Sequence, residues 1–287
     1  MGSLFEQIGE WIKQGLIDAI MGQFTSLFAY VNGQIGTIAT DVGQTPGAWN
    51  PGVFTMIRNL SDTAVIPIAG MILTFVLCYE LIQMIIEKNN MHDFDTFNLY
   101  KWIFKTFVAV FILTHTFDIV MGIFDLAQNV VNQSTGVITG SLSLDATLAD
   151  LLPRLEAMSV WELMGLWLET NIVGLCLRIM SIAIFIIIWG RMIEIYLTVS
   201  IAPIPFSTMV NREWGQMGNN YLKSLFAVAF QGFLIMVCVG IYAVLVQSIA
   251  AADSIHGAIW GTAGYTTLLC FALFKTGSLS KSVFSAH

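Results

Sequence analysis

The sequence predicts an all-α, polytopic membrane helix bundle: about five transmembrane helices, an N-terminal amphipathic helix and a proline-broken segment. Three observations carry this. Of 287 residues, 56% are hydrophobic and only 11% charged, where a soluble domain carries about 25% charged residues. Mean hydropathy is +0.75. The apolar residues also fall in long blocks instead of alternating, and no stretch of soluble-domain composition is long enough to fold alone.

Residues 1–62 read as an extracytoplasmic or interfacial region. Within them, residues 4–31 place Phe5, Ile8, Ile12, Ile20, Phe24, Leu27 and Val31 at helical spacing, with Glu6, Glu10, Lys13, Gln14 and Asp18 opposite. Such a helix lies at the interface or on the bundle, or else serves oligomerisation or partner docking, since Trp11 and its neighbours need cover. The acidic residues near Met1 do not suit a signal peptide, and Glu6 does not suit a myristoylation start. Residues 32–62, with TPGAWNPG at their centre, read as a loop or helix–loop connection.

Residues 63–126 hold the first two spans, at 63–86 and 102–126, around a polar loop. Residues 127–160 form an acidic, extracytoplasmic loop with Asp145, Asp150 and Glu156 against Arg154. Residues 161–210 are mostly apolar and could hold one span or two. Counting it as one puts Lys88, Lys101, Lys105, Arg191, Arg212, Lys223, Lys275 and Lys281 on one side and Lys13, Arg58 and Arg154 on the other. The basic side is cytoplasmic by the positive-inside bias, and counting two spans reverses that bias. One span is therefore chosen, with the N-terminus outside and the C-terminus cytoplasmic in a multi-pass cell membrane protein. Pro203 and Pro205 in IAPIPF each remove an amide donor, so the long helix is expected to bend or re-enter near the cytoplasmic face. Neighbouring protein or a wet cavity must cover that break. Residues 211–221 then form a cytoplasmic loop, and residues 222–287 hold spans at 222–250 and 255–274 and a cytoplasmic tail.

The chemistry-bearing residues are few. No nucleophile elbow, zinc-protease motif, phosphate loop or dinucleotide fingerprint occurs, so the chain is expected not to be an enzyme, to need no cofactor and to draw energy from a partner or an ion gradient. Cys78, Cys176, Cys238 and Cys270 sit singly in apolar blocks and are read as small buried hydrophobes without disulfide or metal. Charges within spans are costly and normally face a bundle interior or water. Glu80, Asp118 and Arg178 are therefore expected to point inward and pair with one another or with neighbouring subunits. His115 lies three residues before Asp118, hence on its helical face, as a proton relay, a structural pair or snorkelling residues would have it. Glu169 is also intramembrane, and Arg191 with Glu194 forms an interfacial pair. Gly257 and Gly261 make a GxxxG motif followed by Gly264, suited to helix packing within the chain or between copies. Trp161, Trp167, Trp189 and Trp260 near span ends fit an aromatic belt.

The order of these segments, and above all VSIAPIPFSTMVNREWGQMGNNYLKSL at residues 199–225, resembles the TrbL-type conjugal transfer proteins. These are the polytopic inner-membrane subunit of type IV secretion systems, and the compact form here is similar to versions in Gram-positive bacteria. The resemblance covers residues 60–280. It implies a membrane channel or scaffold subunit of a DNA-transfer machine, oligomeric, working beside other secretion subunits and separate ATPases, with DNA and a bound relaxase as cargo. It also implies that Arg212 and Lys223 face a cytoplasmic partner. The 127–160 loop is shorter than in many such proteins, which weakens any role for it in DNA contact. The competing reading is an ion-coupled secondary transporter using Glu80, Asp118 and His115, but the internal repeat and second interrupted helix common in transporters are missing. An intramembrane enzyme is a third reading without a nucleophile–base pair at usable spacing.

Overall fold

Sequences rich in Leu, Ile, Met and Ala in a medium without water satisfy their backbone only within helices or closed barrels. Helix is the regular structure this chain adopts throughout residues 2–87, 96–138, 145–249 and 254–286, which a computed structural model describes. In chain order these are α1 (Gly2–Val42), α2 (Pro46–Trp49), α3 (Pro51–Leu60), a π-helical turn (Ser61–Val65), α4 (Ile66–Glu87), α5 (Thr96–Thr114), α6 (Thr116–Ile138), α7 (Asp145–Glu156), α8 (Val160–Ile201), α9 (Pro203–Thr208), α10 (Gly215–Ile249) and α11 (Ile255–Val283). Lys88, the turn at Asp253 and part of the 127–160 loop lie outside the described residues.

Among the described residues five helical stretches are long and apolar enough to cross a membrane: Pro51–Ile86, Phe97–Thr114, Val160–Ile201, Gly215–Gln247 and Ile255–Val283. The expected all-α bundle with five spans is thus the observed one, and the 161–210 block contributes a single helix to it. Large apolar side chains face outward on these helices, as with Met71 at 67% exposed, Phe107 at 70% and Ile182 at 62%. In water such surface would be intolerable, and in a bilayer it is the solvated face. The same logic corrects the cysteines. All four are free, but Cys78 and Cys176 are exposed and only Cys270 is buried, because an apolar block in a membrane protein need not be a core.

Local chemistry sets the helix starts. Thr45 and Asn50 cap α2 and α3, their side chains accepting from the Ala48 and Val53 amides at 3.3 and 3.0 Å, with Pro46 and Pro51 directly behind. TPGAWNPG is therefore two capped starts in succession. Ser159 and Glu162 cap α8 reciprocally: Glu162 Oε2 accepts from the Ser159 amide at 2.8 Å.

Several boundaries differ from the sequence reading. α1 does not stop near residue 31 but runs to Val42, because Ile35, Ile38 and Val42 continue its buried face past Gly33 and Gly36. Burial along one face outweighs a glycine cost of about 1 kcal/mol each. Toward the other end Ile8 and Ile12 stand exposed, so only the later residues of the expected face (Ile20, Phe24, Val31) are covered. The expected second span is interrupted at His115, the loop after the prolines is shorter than 211–221 because α10 begins at Gly215, and α11 continues through Lys281.

The chain divides into two compact units. The first comprises Met1–Gly43, Val131–Ile188 and Leu234–Lys275. Its core joins Ile17, Ile20 and Phe24 of α1 to Leu155 of α7, Leu163 and Leu166 of α8 and Ile259 of α11. The second comprises Gln44–Val130, Trp189–Phe233 and Thr276–His287. Here Phe117 and Phe124 of α6 meet Ile195 and Val199 of α8, Ala202 at the break, Phe206 of α9 and Leu225 of α10. A smaller cluster packs Ala69, Leu73 and Leu77 of α4 on Ala109 and Leu113 of α5.

Candidate functional site

The proline segment lies in the second unit. Pro203 has no N–H, so Val199 O loses its helical donor. The Ala202 amide donates to it instead, at 3.2 Å, tightening the last turn of α8. Thr198 O in turn accepts a hydrogen bond from Tyr221 Oη of α10 at 2.8 Å. Beyond the break, Ser207 and Thr208 turn their hydroxyls back onto Ile204 O and Pro205 O at 2.6 and 2.8 Å. Pro203, Pro205, Phe206, Ser207 and Thr208 are all buried. The break is covered by protein, and the Val199 and Thr198 carbonyls it frees are answered from within the chain.

The reversal into α10 is equally specific. Asn211, 3% exposed, accepts the Glu213 and Trp214 amides on its Oδ1 at 2.7 and 3.2 Å, and its carbonyl takes the Gly215 amide at 2.8 Å. Gly218 then passes so near α9 that an added Cβ would lie 2.6 Å from Pro205 O and against the Met209 side chain. Only glycine fits there without movement of the backbone. The turn docks on α4: Trp214 stacks on Phe75 and Tyr79 with ring centroids 5.6 and 5.4 Å apart. Gln83 donates to Glu213 at 3.2 Å, and Tyr79 donates at 3.4 Å. Tyr221, Gly218 and Trp214 were not singled out individually in the sequence. A glycine one turn into a helix that follows a double proline is the signal that could have marked the close approach.

Arg212 is exposed on this turn and Lys223 half-buried one step along α10. Among the described residues neither makes an ion pair.

The intramembrane charges are not gathered into one constellation. Glu80 of α4 pairs with Lys105 of α5, while its second oxygen is buried without a partner. Asp118 pairs with Arg58 of α3 at 3.2 Å, and that guanidinium also lies 5.4 Å from the Phe117 ring centre. Glu80 and Asp118 therefore meet other cations, not each other or Arg178. His115 occupies the interruption between α5 and α6, its Nδ1 3.0 Å from Phe111 O and its ring stacked on Phe111. Among the described residues no hydrogen bond joins it to Asp118. Glu194 pairs with Lys281 at 3.0 Å instead of with Arg191. Arg191 is 5% exposed, and its Nε has no partner.

In the first unit Glu169 pairs with His256 at 2.7 Å. Arg178 borders a cleft of about 580 Å³ between α1 and α8. Burial pushes the nearby Tyr30 phenol above its ordinary value, and its hydroxyl donates a hydrogen bond to Leu177 O at 3.0 Å. At the GxxxG segment a Cβ on Gly257 would touch only Ser254, and one on Gly264 would meet nothing within 4 Å. Of the four tryptophans expected in a belt, Trp161 is 80% exposed and Trp260 51%. Trp189 instead packs edge-on against Trp49 at 4.8 Å.

No curated protein matches the chain, and no solved structure does. A family model does match, over residues 31–203, described as a TrbL/VirB6 plasmid conjugal transfer like protein. The matched region starts inside α1 and stops at the first proline of the break. The 199–225 segment on which the sequence resemblance rested therefore lies almost wholly beyond it. A match over more than half of a multi-pass helical chain places this protein in the TrbL/VirB6 plasmid conjugal transfer family, as a component of type IV secretion.

Proposed function

We propose that the chain is a channel or scaffold subunit of a conjugative type IV secretion machine in the cell membrane, without catalysis of its own. It assembles with further copies of itself and with other secretion subunits, and separate ATPases drive transport of DNA and its bound relaxase. The N-terminus lies outside and the C-terminus in the cytoplasm, in line with the basic bias of the predicted cytoplasmic segments.

The observation that supports this reading best is the sealed break from α8 through α9 to α10. Three helices are locked at one turn by a proline pair, a tyrosine–carbonyl bond and a glycine contact. That turn carries Arg212 beside Glu213, Lys223 follows along α10, and among the described residues neither cation makes an ion pair. Cations held on a rigid turn without an ion-pair partner suit recognition of an acidic surface on a cytoplasmic partner. Glu80 and Asp118, two of the residues the transporter reading would use, pair separately with Lys105 and Arg58.

The test is transfer frequency from a donor lacking only this gene, with and without a plasmid copy. Loss of transfer that the copy restores is the expected result. Undiminished transfer from the deletion strain would remove the proposal.

A further inference from the structure

The cleft between α1 and α8 in the first unit is polar where its surroundings are apolar. Gln23, Ser26 and Tyr30 line it from α1, and Thr170, Asn171 and Arg178 from α8. Most of these polar groups are already engaged. Thr170 donates to Gln23 Oε1, Asn171 donates to Trp167 O at 2.7 Å, and Ser26 donates to Gly22 O at 2.8 Å. Among the groups left free are two donors, the Arg178 guanidinium and the Gln23 amide N–H₂. No acidic residue lines the cleft. The nearest acid along α8, Glu169, is held by His256. Arg178 itself makes no ion pair with a described residue.

Depth and direction narrow the ligand. Residues 179–190 of α8 carry no charge and belong in the hydrocarbon. Arg178 sits at the N-terminal edge of that stretch, and helical side chains lean toward their helix N-terminus. The guanidinium thus reaches away from the hydrocarbon, along a polar lining that continues through Gly174 to Thr170, about 12 Å up the helix. One cation at the foot of a short polar channel opening toward the membrane surface matches one phosphate. A nucleic acid strand would need a track of several cations, which this cleft lacks.

We propose that the cleft binds the phosphate-bearing headgroup of an anionic membrane lipid, with Arg178 as its charge partner and Gln23 as a second donor. Gly22 and Gly174 leave the space: a Cβ on Gly22 would meet nothing within 4 Å, and one on Gly174 only the Leu27 methyl at 4.0 Å. The acyl chains would then run down the exposed apolar face of α8 at Ile179, Ile182 and Ile186. This assignment is independent of what the assembly transports.

The experiment is lipid retention by the full-length protein in detergent, read by native mass spectrometry with phosphatidylglycerol against phosphatidylcholine. The wild type is expected to retain phosphatidylglycerol about tenfold more strongly, the size of one charge-assisted hydrogen-bonded pair. Arg178→Gln should bring the ratio close to one. Gly22→Leu, which keeps every charge and fills the cleft, should do the same, whereas Lys275→Gln, an exposed cation elsewhere, should leave it unchanged. An unaltered preference in both cleft variants overturns the site. So does displacement of the lipid by millimolar inorganic phosphate, which would mark a free-anion site, or by a short single-stranded oligonucleotide, which would mark a nucleic-acid surface.

Discussion

The second unit contains two helix interruptions that arise in opposite ways. Between α8 and α9 the donors are missing outright, because Pro203 and Pro205 have no N–H to give. Between α5 and α6 every residue has its donor, and side chains compete with the backbone. Thr114 Oγ1 donates to Val110 O at 3.0 Å and Thr116 Oγ1 to Ile112 O at 2.8 Å, with His115 Nδ1 beside Phe111 O. Backbone bonding almost persists there, with the His115 and Ile119 amides still reaching the carbonyls four residues back at 3.2 and 3.0 Å. The first interruption is obligatory and turns the chain. The second is a perturbation within a backbone ladder that nearly continues. Their surroundings follow suit: the proline break is buried and braced by Tyr221 and Gly218, whereas His115 is exposed.

The contrast is sharpest if the obligatory break is removed. Pro203→Ala with Pro205→Ala restores two donors and lets α8 run on into α9, detaching the turn from α4. Transfer by a donor carrying this variant should fall to the level of the deletion strain, and wild-type transfer would show that the reversal is dispensable. Gly218→Ala comes next. At an open helical site this change stabilises by about 1 kcal/mol, but against Pro205 O it should destabilise by about 1–3 kcal/mol. Thermal unfolding in detergent gives the sign, and a stabilised variant would mean that α9 and α10 are not in contact. Tyr221→Phe leaves Thr198 O unanswered in a buried place and should cost about 1–2 kcal/mol in the same assay. Thr114→Val with Thr116→Val should have the smallest effect, within about 0.5 kcal/mol. Its signature is slower amide exchange at residues 115–119 as the backbone ladder closes, and faster exchange would contradict the competition described above.

The legible parts of the fold are those where a residue type carries its consequence with it. Proline removes a donor in any context, so the break at Pro203 could be read directly. Ser159 and Glu162 have the spacing of a reciprocal cap, and long apolar runs give the spans. The interruption at His115 was hidden because hydropathy averages over a window in which three polar residues vanish among phenylalanines. The extent of α1 was hidden because Gly33 and Gly36 argue for a loop locally, and only burial of Ile35 and Ile38 overrules them. Ion partners were hidden for a different reason. Glu80 and Lys105 lie on successive helices, Asp118 and Arg58 across a longer stretch of chain, and nothing local in the sequence pairs them. The cleft beside Arg178 needed both: its cation was visible in α8, but the α1 residues that complete it lie on the side chosen by Phe24 and Phe28 when they turn inward.

α8 has one further consequence. Its 42 residues make a helix about 63 Å long, and a bilayer core of about 30 Å at an ordinary tilt accommodates roughly half of it. Much of the remainder is apolar: Trp161, Met164 and Leu168 stand 80%, 47% and 56% exposed. In the assembly proposed above, neighbouring subunits would shelter that stretch. A copy synthesised in excess has no such shelter, and bare apolar surface of this kind invites aggregation and degradation. The cellular supply of this subunit would then be set by the abundance of its neighbours, a quality-control mark written into the length of one helix.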